Sequence, residues 1–151
     1  MHIRLVRATP GHVSDYIRIA RQVKCRLNCV ATTLTEVFKE METSIVHMIL
    51  VDGQTVGFIS YIYKFERPRY LHISEVQIEP AFQSRGVGRL SLEYVIAMFP
   101  KVELFELYTH PESQAQYMFA RHGFRATGEI SENHRGTGEP RIRMILERKA
   151  E

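Results

Sequence analysis

Glu75-Val76-Gln77-Ile78-Glu79-Pro80-Ala81-Phe82-Gln83-Ser84-Arg85-Gly86-Val87-Gly88-Arg89-Leu90 is the stretch whose reading decides the fold. Ile73, Val76 and Ile78 form an apolar run that reads as a strand, and Pro80 closes it. A short loop carrying two glycines follows, and an amphipathic helix begins near Val87. A strand that feeds a glycine-bearing turn into a helix N-terminus is a ready anion site. The first amides of a helix have no acceptor within it, and the helix dipole favours negative charge there. Gly86 and Gly88 remove side chains where a phosphate would approach the backbone. The same arrangement also serves as a plain turn in unrelated α/β folds, so the rest of the chain must decide.

Upstream, residues 70–79 are predicted as one strand, joined by a turn at 66–69 to a strand at 56–65. A tight Asp52-Gly53-Gln54 turn links that strand to Ile45–Val51, which makes an antiparallel meander. Nearer the N-terminus, residues 2–7 alternate as a short strand. Thr9 and Pro10 open a helix to Val23, with Val13, Tyr16, Ile17, Ala20 and Val23 at helical spacing. Residues 25–35 are irregular, and a second helical piece is predicted over 35–41. Downstream, the helix at 87–99 carries Val87, Leu90, Tyr94, Val95 and Met98 on one face and is stopped by Pro100. Residues 102–110 form a strand, so strand, helix and strand imply a parallel pair around a right-handed crossover. A helix over 111–122 ends at Gly123. Strands at 124–130 and 141–148 close the chain around a polar loop at 131–140. The predicted order is β-α-α-β-β-β-α-β-α-β-β, an α+β class.

With 151 residues and no linker, repeat or low-complexity segment, the chain is expected to form a single domain over 1–151. Hydrophobic content of 44% and charged content of 25% are ordinary for a globular protein. The net charge of +3 is spread without a basic run, so nucleic acid is not indicated as a partner. Cys25 and Cys29 are the only cysteines, without the second pair that a zinc site needs or a disulfide framework's pattern. The 7 histidines are scattered, and none makes an H-x₃-H pair, so no metal is implied. No run of eighteen apolar residues and no signal-peptide core occurs, which excludes a membrane span and points to a cytoplasmic location.

Gln83-x-x-Gly86-x-Gly88 after a strand ending Ile78-Glu79-Pro80 resembles the acetyl-CoA motif of the GNAT acetyltransferases. A second stretch, Ala115-x-x-Met118-Phe119-x-Arg121-x-Gly123-Phe124, resembles the late helix of that family, and the element order is similar over nearly the whole chain. The resemblance implies a mixed, mostly antiparallel sheet of about seven strands flanked by about four helices. It implies transfer of an acetyl group from acetyl-CoA, as co-substrate, to a primary amine of a small molecule by direct attack. The alternatives are a protein N-terminus or lysine as acceptor, or a non-catalytic acyl-CoA sensor. A mildly basic chain suits a polyanionic cofactor. A homodimer is an option, although no residue pattern specifies its interface.

The resemblance assigns the cofactor to the backbone amides from Ser84 through Gly88, with Val87 among them. Gln83 belongs to the motif, and Arg85 or Arg89 adds a charge-assisted contact. Main-chain groups of the Val76-Gln77-Ile78 strand would meet the pantetheine arm where that strand splays from Leu107–Thr109, with the Ile78 N–H as oxyanion donor. Glu75 occupies the place of a carboxylate base, acting directly or through a water, with His72 and His110 as alternatives. The late-helix position that carries a tyrosine in the family is Phe119 here, which lines the cofactor but has no proton to give. Tyr117, about 200° around the helix, does not replace it. The thiolate then leaves unassisted, or His110 or Tyr108 donates the proton. Acceptor choice is expected to rest on 25–41 and 131–140, where Glu36, Glu40, Glu42, Glu132 and Glu139 either attract a cationic substrate or are simply solvated.

Overall fold

The computed structural model describes residues 1–149. One sheet of seven strands holds β1 (Ile3–Arg7), β2 (Ile45–Val51), β3 (Gln54–Tyr63), β4 (Tyr70–Ile78), β5 (Leu104–Thr109), β6 (Arg125–Ser131) and β7 (Arg141–Glu147) in the order β1-β2-β3-β4-β5-β7-β6. Among the described residues only β4 and β5 run parallel, as the crossover implied. The helices are α1 (Val13–Val23), α2 (Leu34–Thr43), α3 (Val87–Met98) and α4 (Ala115–Arg121). This is the expected α+β class and element order. Among the described residues no helix is long and apolar enough to cross a membrane.

Two apolar cores sandwich the sheet. Val87, Leu92 and Val95 of α3 and Phe119 of α4 pack with Leu71, Ile73 and Phe105 on one face. Tyr16 and Ile19 of α1 and Val37 of α2 pack with Met48 and Phe58 on the other. Tyr16 stacks flat on Phe58 with ring centroids 3.7 Å apart.

Local chemistry moves several boundaries from their predicted places. Pro10–His12 form a 3₁₀ turn, so α1 starts at Val13. α2 starts at Leu34 because Thr33 caps it: Thr33 Oγ1 accepts from the Glu36 N–H, and Glu36 Oε1 accepts from the Thr33 N–H, each at 3.2 Å. Cys25 and Cys29, both free, lie in and beside a tight turn closed between Cys25 and Asn28. In α3, Tyr94 and Met98 are exposed, and the buried stripe is Val87, Ser91, Leu92, Val95 and Ile96. Ser91 fits there because its hydroxyl donates to the Val87 carbonyl at 2.8 Å. Residues 111–114 form a turn, which leaves α4 to begin at Ala115.

The β3–β4 pairing contains a bulge. Tyr61 faces Ile73 and Ser60 faces Glu75, so Ser74 has no partner across the ladder. Before the bulge, Leu71 and Ile73 point to the α3 core; after it, Val76 and Ile78 do. Glu75 is thereby turned to the α1–α2 side, opposite Ser60, whose hydroxyl donates to Glu40 of α2 at 3.0 Å.

Gly57 sits opposite Ile78, and a Cβ there would lie 2.3 Å from the Gln77 carbonyl oxygen. That oxygen is backbone and cannot rotate away. Gly57→Ala is expected to cost about 3 kcal/mol by overpacking. Gly11→Ala, which would meet only Thr9 Oγ1 at 3.5 Å, is expected to stay within about 0.5 kcal/mol. Urea unfolding of both variants beside the parent checks the contrast.

Candidate active site

β4 and β5 are paired only at Tyr70–Leu104, Leu71–Phe105 and His72–Glu106. Beyond His72 the two strands part. The Glu79 N–H donates to the Val56 carbonyl at 2.8 Å, so the main chain of Gln77, two residues earlier, also faces β3. The main-chain groups of Val76 and Ile78 therefore face the gap, and the Ile78 carbonyl accepts from Gln83 Nε2 at 2.9 Å. A cavity of about 1010 Å³ occupies the split, lined by Val76, Ile78, Leu107 and Phe119 at its apolar wall.

At one end of this cavity stands the start of α3. Ser84 and Gly86 take left-handed backbone angles (φ 63° and 82°), which turn the chain so that successive amides converge. None of the amide N–H groups from Ser84 through Arg89 has an acceptor among the described residues; the first helical bond is from Leu90 to Gly86 at 3.0 Å. No acidic residue occupies the first turn of α3. At Gly88 a Cβ would point among Ile78, Met118 and Val76 at 3.7–3.8 Å, into the cavity wall. This donor run, next to an apolar trough, fits a diphosphate carried on a flexible arm. Of the two arginines, Arg89 pairs with Glu93 along the helix at 3.1 Å while its Nη2 lies 3.5 Å from where a Gly86 Cβ would stand, beside the amide run, and Arg85 lies over the Phe82 ring at 5.1 Å.

The opposite face of the split is polar. Glu75 is buried. Its Oε2 accepts from Gln77 Nε2 at 2.7 Å, and Arg135 Nη1 lies 3.5 Å from Oε1. Burial pushes its carboxyl up to about 7, against the lowering pull of Gln77 and Arg135. Gln77 is itself fixed by Asn28 through paired amide bonds of 2.8 Å. Its side chain thus serves Glu75, and its main chain, expected to meet the pantetheine arm, faces β3 instead of the gap. Asn28, Gln77 and Arg135 form a positioning set around Glu75; sequence reasoning named Gln77 only for the cofactor and missed the other two, whose one signal was that they lie in the two segments expected to shape the acceptor site.

Tyr108 lies on the same face, its ring 5.3 Å from His134 and 6.2 Å from His72. Its hydroxyl has no partner among the described residues, and burial, with Glu106 nearby, raises its pKa. Burial, with Arg135 and Arg141 behind it, lowers His134 to about 4, so this ring is neutral at neutral pH. His72 Nδ1 lies 2.8 Å from Glu106, which is also held by Tyr70 and, at 2.6 Å, by Arg143. His110 has both ring nitrogens engaged: Nδ1 accepts from the Glu112 N–H and Nε2 donates to Glu139, each at 3.0 Å. Arg26 joins this group, 2.7 Å from Glu139 and 3.2 Å from Glu112. Of the glutamates expected to greet a cation, Glu36 is spent on its cap, Glu40 on Ser60 and Glu139 on Arg26 and His110. Tyr117 is exposed on the outer side of α4, and Phe119 is buried against Phe124, ring centroids 6.0 Å apart.

A family model for the acetyltransferase (GNAT) domain matches residues 20–146. The chain belongs to the GNAT acetyltransferase family. It is an acetyl-CoA-dependent acetyltransferase. No curated protein matches it in sequence. Among solved structures, this GNAT chain is similar to the ribosomal-protein-S18-alanine N-acetyltransferase from Escherichia coli (16% identity, 98% of this chain and 95% of that one, TM-score 0.78). It is also similar to an acetyltransferase from Thermus thermophilus (17%, 98% and 98%, TM-score 0.78). A third likeness is to a GNAT family acetyltransferase from Elizabethkingia anophelis with acetyl-CoA bound (16%, 97% and 98%, TM-score 0.72). At these identities the likeness concerns the fold.

Glu75 makes stability depend on pH. Its pKa is 4.5 in the unfolded chain and about 7 in the fold, so the folded state binds the proton more tightly. That contribution is complete below 4.5 and is lost as pH rises through 7. Relative to Glu75→Gln, the parent is expected to lose about 3 kcal/mol across that window. Urea titrations of both proteins on either side of it measure the gap. A constant gap would contradict the assignment.

Proposed function

We propose that this GNAT domain acetylates the primary amine of a small molecule by direct attack on acetyl-CoA. The observation that carries the reading is a buried carboxylate, Glu75, with a neutral-range pKa, lining the same cavity as the unpaired amides of Ser84–Arg89. The amides of that run and the N-terminus of α3 hold the diphosphate, with Gly86 and Gly88 allowing close approach. Val76 and Ile78 offer main-chain groups to the pantetheine arm. When bound, acetyl-CoA supplies an activated acetyl thioester.

The chain's own residues do the rest. An amine with pKa about 10 arrives as an ammonium and must lose a proton. Glu75, oriented by Gln77 and Arg135, takes it directly or through one water. The Ile78 N–H, facing the gap, donates to the thioester oxygen as charge develops there. Phe119 keeps the sulfur's surroundings dry but gives no proton. Tyr108, with a free hydroxyl on the cavity wall, is the donor we assign to the thiolate. A thiol pKa of about 8.5 makes that step undemanding. His110 is left out of proton transfer because neither ring nitrogen is free. Arg26 ties the segment after α1 to Glu112 and Glu139. We read a segment held in this way as suiting a small acceptor better than a peptide.

Two measurements test this reading. Gly88→Glu starts its side chain among Ile78, Met118 and Val76 in the cavity wall, so it fills the trough and brings a negative charge beside the amide run; a thermal melt of the free variant checks that it still folds. Calorimetry is expected to show acetyl-CoA bound at least about tenfold more weakly. In steady-state assays, kcat/KM is expected to rise with pH through about 7 as Glu75 ionises. Glu75→Gln should abolish that limb and lower kcat about 100-fold. A variant with undiminished turnover would remove Glu75 as the base.

A further inference from the structure

Arg141 opens β7 on the same face of the sheet as Glu75 and lines the same cavity. Its side chain is buried, with 5% of the residue exposed. Nη1 donates to the carbonyl of its own neighbour, Pro140, at 2.9 Å, and the buried Nη2 has no partner. No carboxylate lies within ion-pair distance of it among the described residues. The other arginines around this face are matched: Arg26 by Glu112 and Glu139, Arg143 by Glu106, and Arg135 by Glu75. A guanidinium cannot shed its proton, and burying one without an anion is costly. The protein keeps this cation where its natural counter-charge is whatever enters the cavity. The neighbouring His134 is held neutral and adds no competing charge.

We propose that the acceptor is a small zwitterion, an amino-acid-like compound whose carboxylate is received by Arg141 while its ammonium faces Glu75. This rests on the acetyl-transfer reading above and narrows its substrate class. The ammonium gives one proton to Glu75, and its nitrogen bonds to the acetyl carbon as the carbon–sulfur bond breaks. The thiolate ends with the nitrogen's second proton, and the carboxylate is a handle that does not react. A planar fork suits a carboxylate, which can accept two parallel N–H bonds from it. A peptide N-terminus carries an amide where the zwitterion carries this charge.

The test uses the full chain with acetyl-CoA and a panel of the standard α-amino acids, each beside its own α-carboxamide and a short peptide bearing it at the N-terminus. Thiol release is followed, and acetyl-CoA binding is measured separately by calorimetry. For at least one pair, the free acid is expected to exceed its carboxamide about 100-fold in kcat/KM, because a site built to bind a polar group discriminates against its absence. Arg141→Met is expected to erase that ratio while acetyl-CoA affinity stays at the parent value. Arg141→Lys, which keeps the charge but not the fork, is expected to retain the preference in reduced form and covers the case in which the methionine variant does not fold. Equal rates for acid and carboxamide, faster turnover of the peptides, or acetylation of no panel member overturns the inference. Where acetyl-CoA binds, those results leave the acetyltransferase reading standing; where it does not, that reading falls first and takes this one with it.

Discussion

The single unpaired residue at Ser74 is the constraint on which the rest of the site depends. In a regular strand, Glu75 would follow Leu71 and Ile73 onto the face packed against α3, where an ionisable group has no place. The bulge shifts the alternation by one residue. Val76 and Ile78 then take the apolar face, and Glu75 and Gln77 take the polar one. The strand also leaves its parallel neighbour after His72, so the amides of Val76 and Ile78 face a gap instead of a ladder. One inserted residue thus creates the trough and aims the base across it.

This division separates two kinds of chemistry by the thickness of the sheet. The α3–α4 side offers apolar walls and a run of unpaired amides, the environment for a chain ending in a diphosphate. The α1–α2 side is a mesh of polar groups held mostly by one another: Asn28 with Gln77, Gln77 with Glu75, Arg143 with Glu106, and Arg26 with Glu139. Pairing within the mesh fixes geometry, because each satisfied group resists rotation. It also identifies Arg141 as the exception, a buried cation that no neighbour answers.

The elements and the cradle were legible in the sequence because their signals are local. Alternation marked β2 to β5, the glycine pair marked the start of α3, and strand–helix–strand gave the parallel pair. The α3 stripe was misread because Ser91 counts as polar by type, whereas in place its hydroxyl is satisfied within its own helix. Thr33 and Glu36 stood at capping-box spacing, so the true start of α2 was also available. Arg89 and Glu93 at i,i+4 foretold that this arginine would lie along the helix. The bulge left a fainter mark: the apolar alternation of Leu71 and Ile73 changes phase to Val76 and Ile78, the slip that one unpaired residue produces. Gln77, Asn28, Arg135 and Arg141 come from four separate segments. Their meeting is a property of the sheet order, which local patterns do not encode.

The environment of Glu75 shows why those distant contributors matter. Burial alone drives a carboxylate toward its neutral form, and a base that never ionises at neutral pH is useless. Full ion pairing would hold it low, and a weakly basic carboxylate removes protons poorly from an amine. Gln77 donates one hydrogen bond and Arg135 lies at 3.5 Å, too far for a tight bidentate pair. Burial wins, but only to about 7. A shorter Arg135 contact would pull the group back toward ordinary carboxylate values, and loss of Gln77 would let it climb further. The neutral base therefore follows from a balance among three segments: a bulged strand, a loop before β7 and a turn after α1. Tertiary packing sets that balance.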